Sequence, residues 1–137
     1  MDNSTAIRNY IDQFREGNRN EAFHGLLELS HDVLPELIAI FRNEQDVQFR
    51  AFLAEVTWQH REPSVIPFLG EILNDPEPLI WKEALDGLVA LASVPALDAL
   101  RAARSRQFAR KRDAEYFLGY LEEAIGQAEA EILKKDS

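Results

Sequence analysis

PSVIPFLGEILNDPEPLIWKEALDGLVAL, residues 63–91, reads as two helices joined by a short turn. In the first half Ile66, Leu69, Ile72 and Leu73 recur at helical spacing, and Ser64 is placed to cap them. Pro67 falls in the first turn, where a missing N–H leaves no hydrogen bond unmade. NDPEP carries two prolines and punctuates the chain. In the second half Ile80, Ala84, Leu85, Leu88 and Leu91 fall on one face. Each helix thus has a single apolar stripe, and neither can bury it alone.

The chain repeats this unit. At an offset of 32, LPELIAIF at 34–41 lies on IPFLGEIL at 66–73, and Phe52, Leu53 and Val56 lie on Ala84, Leu85 and Leu88. At an offset of 28, VPALDAL at 94–100 joins the set, and at 62 EAFHGLLEL at 21–29 aligns on EALDGLVAL at 83–91. Self-similarity at such periods is the mark of stacked helix pairs. The spacing predicts a first helix with Ile7, Tyr10, Ile11 and Phe14 inward behind a Ser4 cap, ending at Gly17 and Asn18. A second runs over 20–29, a third follows an Asp32 cap, and a fourth covers 47–60. Ser93 is expected to cap a seventh helix with Val94, Leu97 and Leu100 inward. The last helix is expected over 113–134, with Ala114, Phe117, Leu118, Leu121 and Ile125 inward. No strand-like alternation appears, so the fold class is all-α. A single domain over 1–137 is expected, with repeats at about 4–29, 32–61, 63–92 and 93–134.

With these residues in view, the chain resembles the HEAT-like repeat family, close to the short bacterial HEAT repeats of phycobilin lyase subunits. The resemblance rests on Pro35, Pro67 and Pro95 at the starts of first helices. It rests also on the Asp75-Pro76 turn and on Ala84, Leu85 and Leu88 of a second helix. It is strongest over 32–105. It implies a right-handed α-solenoid of about four helix pairs, eight helices in all, that presents a surface to a protein partner. One departure stands out. Where the family carries an arginine before that alanine, this chain has Arg19, Phe49, Trp81 and Lys111 in successive repeats. Phe49 and Trp81 are expected either to stack on each other between adjacent repeats or to anchor a partner.

Composition narrows the function. There is no cysteine, which removes disulfides, thiolate nucleophiles and Cys-ligated zinc together. No glycine-rich phosphate loop, GxSxG or HExxH is present. His24 and Glu28 share a helix face, but no second histidine stands at matching spacing for a metal. No cofactor and no metal are expected. No apolar run is long enough to span a membrane. The opening MDNSTAIRNY lacks the charge and apolar core of a signal peptide, so a cytoplasmic location is expected. The net charge of −9 disfavours nucleic acid, whose phosphates require cations, and suits a basic protein partner. The charge is uneven. Arg101, Arg104, Arg106, Arg110, Lys111 and Arg112 fall in a stretch without acids, so the rest of the chain carries −15 against a total of −9.

Two surfaces are candidates for recognition. One is the exposed line of the second helices, with His24, Arg50, Trp58, Lys82, Asp86, Arg112 and Tyr116, joined by Phe49 and Trp81 if those rings are exposed. The other is the basic stretch Arg101, Arg104, Arg106, Arg110 and Lys111, which is either solvated or paired to acids of the neighbouring repeat, or else docks an acidic partner or nucleic acid. The run AIGQAEAEILKK is amphipathic enough to cap the last repeat of a monomer or to form a weak homodimer. A non-enzymatic interaction module is the leading reading, acting as an adaptor, a regulatory scaffold or an immunity-type inhibitor of a toxin. The alternatives are an accessory subunit or chaperone of an enzyme, such as a bilin-lyase-like protein, and a helical-repeat protein acting on nucleic acid.

Overall fold

The computed structural model describes residues 3–135. Among the described residues all regular structure is helical: eight α-helices and three single 3-10 turns. They fall into two compact units divided between His60 and Arg61.

The first unit contains α1 (Asn3–Arg15), α2 (Arg19–Glu28), α3 (Leu34–Asn43) and α4 (Val47–Gln59). α1 packs on α2, α3 on α4, and α2 on α4. The α1 terminus follows from Gly17, whose φ of 94° lies in the left-handed region. Its N–H donates to the carbonyl of Phe14, and that of Asn18 donates to Gln13, which closes the helix as a Schellman motif. α1 and α2 come close because Gly25 has no side chain: a Cβ there would lie 2.1 Å from the Tyr10 ring. Asp46 caps α4 by accepting from the N–H of Phe49 at 3.3 Å. Asp32 does not cap α3: it lies inside the 3-10 turn His31–Val33, which Ser30 caps by accepting from the Asp32 N–H, and α3 itself starts behind Val33 without a side-chain cap. Ile7, Leu26, Leu37, Phe49, Phe52 and Leu53 are fully buried. Burial of each such side chain stabilises by about 1.5–3 kcal/mol.

The second unit contains α5 (Ile66–Ile72), α6 (Pro78–Leu91), α7 (Val94–Ala102) and α8 (Lys111–Lys135). α6 packs on α5, α7 and α8, and α7 packs on both α5 and α8. Ser93 caps α7 by accepting from Ala96, as its position predicts. Ser64 is no cap; it sits inside the 3-10 turn Pro63–Val65 that leads into α5. α8 starts at Lys111 and so takes in the end of the basic stretch. Its buried stripe is Phe117, Leu121, Ala124, Ile125 and Ala128. Leu118 falls about 100° off that stripe and is 36% exposed rather than inward. Val94 also departs from expectation at 61% exposed. It opens the first turn of α7, and Ala96, Leu97 and Leu100 carry the burial instead.

Candidate functional site

The second unit gathers its aromatic residues where α6 meets α8. On α6 the buried stripe Ile80, Ala84, Leu85 and Leu88 turns Trp81 inward as well, at 2% exposed. Three rings from α8 enclose it edge-on: Phe117 at 5.0 Å, Tyr116 at 5.7 Å and Tyr120 at 5.8 Å between centroids. Tyr116 and Tyr120 are one helical turn apart and contact each other at 5.2 Å, 75° between planes. Edge-to-face geometry places the positive rim of one ring on the negative face of the next and stabilises by about 0.5–1.5 kcal/mol per pair.

Lys82 completes the cluster. Its Nζ lies 4.5 Å from the Tyr120 ring centre and 4.8 Å from that of Tyr116, with Trp81 at 5.8 Å. It donates a hydrogen bond to the Tyr116 hydroxyl. That bond holds the ammonium above the ordinary lysine range, against a smaller opposing effect of desolvation. The same bond holds the Tyr116 phenol below its ordinary 10.0. Tyr116 and Tyr120 remain 44% and 43% exposed, so two phenols stand at the surface on a packed aromatic floor. Beside them a groove of about 310 Å³ runs between α6 and α8, lined by Lys82, Leu85, Asp86, Tyr120, Glu123 and Gln127 among others. A second hollow of about 400 Å³ lies on the other side of Trp81, against Pro78, Arg106, Phe108 and Tyr116.

The basic stretch is held down by α8 of its own unit. Arg104 grips Glu122 with two parallel bonds of 2.7 and 2.8 Å, and Arg101 meets Glu129 at 2.7 Å. The Arg104 bond lowers the Glu122 carboxyl below its usual range. Lys111 lies 3.8 Å from Glu115. Arg106 turns inward, donating to the main-chain carbonyls of Leu73 at 2.6 Å and Asp75 at 3.0 Å. Phe108 and Phe117 flank its guanidinium at 4.4 and 4.9 Å. Burial pushes that guanidinium down from its ordinary range, partly offset by Asp75. Arg110 and Arg112 are exposed and show no ion pair among the described residues.

The structure thus brings together Trp81, Lys82 and Tyr116 of the residues singled out in the sequence, with Asp86 on the adjoining groove. Phe49 and Trp81 find ring partners within their own units rather than serving as exposed anchors. Phe49 is 2% exposed and contacts Phe14 at 5.2 Å and Phe52 at 6.2 Å. Trp58 was expected on an exposed line and is buried at 8%. Arg50 lies 4.6 Å over the Phe41 ring. Tyr120 was not picked out by pattern, although its position four residues after Tyr116 on a helix was a usable signal. His24 is exposed, edge-on to Phe23. His31 and His60 approach through their Nδ1 atoms at 3.0 Å, and His60 Nε2 bonds the Leu26 carbonyl at 3.2 Å. Among the described residues no three of His, Cys, Asp or Glu converge to hold a metal ion. No described helix is long and apolar enough to cross a membrane.

The arrangement offers hydrogen bonding, ring contact and ion pairing at a surface. A family model described as HEAT repeats matches residues 34–119. No curated protein and no solved structure matches the chain.

Proposed function

The chain belongs to the HEAT-repeat family, and from that premise we propose that it is a non-enzymatic protein-binding module whose recognition face centres on Tyr116, Tyr120 and Lys82. HEAT repeats generally mediate protein–protein interaction. One observation carries the assignment to this face: two half-exposed tyrosines pack against a buried tryptophan and an ammonium. Tyrosines fixed before binding lose little rotamer entropy when a partner arrives, and large amphipathic rings are the residues that dominate interfaces. Asp86 and Arg112 extend the face, whereas Phe49 and Trp58 act as packing of the first unit. The acidic balance of −9 favours a basic protein as partner and speeds its capture at low salt. Adaptor and inhibitor roles, including immunity against a toxin, both use such a face.

The test places a photo-crosslinking amino acid at position 120 in cells of the source organism. A control carries it at Arg8, on the exposed side of α1. A protein adduct formed at position 120 and lost when Tyr116→Ala is added supports the face. Adducts with nucleic acid alone, or a protein adduct equally strong at Arg8, overturn it.

A further inference from the structure

In the second unit Arg101, Arg104, Lys111 and Lys134 each meet a glutamate of α8. Lys82 does not. The chain has 24 acids to 15 lysines and arginines, yet among the described residues no carboxylate lies within ion-pair distance of this ammonium. It lies instead 4.8 and 4.5 Å from the centres of the Tyr116 and Tyr120 rings and donates to the Tyr116 hydroxyl. Bonding to a neutral phenol leaves its charge in place.

The bond also fixes what Tyr116 can do. An ammonium has three donors and no acceptor, so the Tyr116 oxygen accepts and its own hydrogen is aimed elsewhere. The Lys82 bond, with a smaller contribution from the Tyr120 hydroxyl, holds this phenol below its ordinary 10.0. A hydroxyl polarised in this way donates more strongly in turn. Among the described residues nothing accepts from it. One turn before Tyr116, on the same face of α8, stands Arg112, exposed and without an ion pair among the described residues. Two acids are near. Glu123 lines the groove seven residues beyond Tyr116, about 10 Å along the helix. Asp113 lines the hollow on the other side of Trp81 together with Arg106, and it stands in the first turn of α8, where the helix dipole offsets its charge. Around the Tyr116 O–H, Lys82 and Arg112 therefore outweigh Asp113.

We propose that Tyr116, Lys82 and Arg112 receive a carboxylate of the protein partner, an aspartate or glutamate side chain, with the Tyr116 O–H as the central donor. This rests on the protein-binding reading above and names the group that the face takes from its partner. An ionised carboxylate only accepts, and it supplies the negative charge that Lys82 lacks. A hydrogen bond from a phenol to such a group is charge-assisted and stronger than one between neutral groups. A lysine or arginine would bring donors to a donor. The net charge of −9 acts on another scale. It steers a whole partner at long range, whereas the hydrogen bond selects the one side chain that arrives at Tyr116. Lys82 thus plays two parts, as the charge beside the carboxylate and as the residue that turns Tyr116 into a donor.

The experiment pans a phage-displayed library of random 12-residue peptides on the full-length protein. The enriched peptides are synthesised with fluorescein and an amidated C-terminus, and their affinities are measured by anisotropy. Expected are sequences that share an aspartate or glutamate. Replacing that acid by its amide, or making Tyr116→Phe, should each weaken binding about tenfold, and the two together little further. Lys82→Met should weaken it as well. Lys134→Met, near the other end of α8, changes net charge equally and should have little effect. Circular dichroism confirms that the variants fold. Enrichment of peptides without an acid, no enrichment, parent-like affinity in Tyr116→Phe, or equal weakening by Lys134→Met overturns the proposal. Release of the peptide by inorganic phosphate but not by acetate overturns it too, since the site would then be one for phosphate. Self-association that Tyr116→Phe abolishes does the same, since an acid of a second copy would then occupy the site. If any of these outcomes accompanies a retained adduct at position 120, the carboxylate assignment fails alone. If the adduct is lost as well, both readings fail.

Discussion

Replacing Arg106 with alanine should destabilise the second unit by about 3 kcal/mol, and the geometry supplies the terms. The guanidinium donates to the carbonyls of Leu73 and Asp75, which follow the end of α5. The Leu73 carbonyl, at the C-cap, has no helical N–H to accept from and stands at the negative end of the α5 dipole. A hydrogen bond to a charged group contributes about 1.5–3 kcal/mol when buried. Arg106 is only partly buried, so about 1 kcal/mol for each of its two bonds is the appropriate scale after screening. Contact with the Phe108 and Phe117 rings adds about 0.5–1 kcal/mol in total at this exposure. For a chain of this size such a loss lowers the melting temperature by about 10 °C. Urea titration followed by Trp81 fluorescence, in a Trp58→Phe background, reads the midpoint with an unchanged slope. Arg106→Lys keeps the charge but cannot span both carbonyls with one planar fork, so it should recover less than half of the loss. An Arg106→Ala variant within about 0.5 kcal/mol of the parent would match an ordinary surface substitution and refute this reasoning. It would return Arg106 to the solvated basic patch that its neighbours in sequence suggest.

Gly25→Ala should destabilise by about 1–3 kcal/mol, because the new methyl would overlap the Tyr10 ring, and adding Tyr10→Ala should relieve part of the cost. A gain in stability, as helix propensity alone predicts, would show that α1 yields to the methyl. His60→Leu should cost about 1–3 kcal/mol by urea titration, since it leaves the Leu26 carbonyl and a His31 nitrogen without that partner in a part-buried place. A change near zero would mean that both groups find water. Absorbance titration at 295 nm should show one tyrosine ionising below the ordinary 10.0, because the Lys82 ammonium favours the Tyr116 phenolate. Lys82→Met should move that step upward, and an unaltered curve would contradict the Lys82–Tyr116 bond.

The helix pairs were legible because their signals are local. Proline in a first turn, serine at a cap and leucines at helical spacing each act within a few residues, and Ser93 caps α7 where the pattern places it. Trp58 was misplaced for a physical reason. α4 buries Phe49, Ala51–Ala54 and Val56–Trp58, so it is apolar nearly all round, and periodicity cannot single out an exposed face on such a helix. The basic stretch was legible only as a choice between pairing and docking. Six cations in twelve residues read as a field, yet the acids that pair with Arg104 and Arg101 stand 18 and 28 residues further on. No local window joins them. Val94 and Leu118 show the remaining weakness, that one position of helical phase separates core from solvent.

Trp81 shows how a departure from pattern can mark the right place while its role stays hidden. An aromatic ring where the family carries arginine suggested a contact with the neighbouring repeat or a partner. The structure puts Trp81 edge-on to Tyr116 and Tyr120 of the following repeat rather than against Phe49, and burial at 2% leaves it little to offer a ligand directly. Under the binding face proposed above, its effect on recognition would pass through the tyrosines. Edge-on contact with the indole restricts the rotamers of both rings, so under the proposed reading the two surface phenols would lose little freedom when a partner docks. The sequence of α6 could supply the indole. The phenols come from α8, thirty-five and thirty-nine residues later, and only folding brings them together.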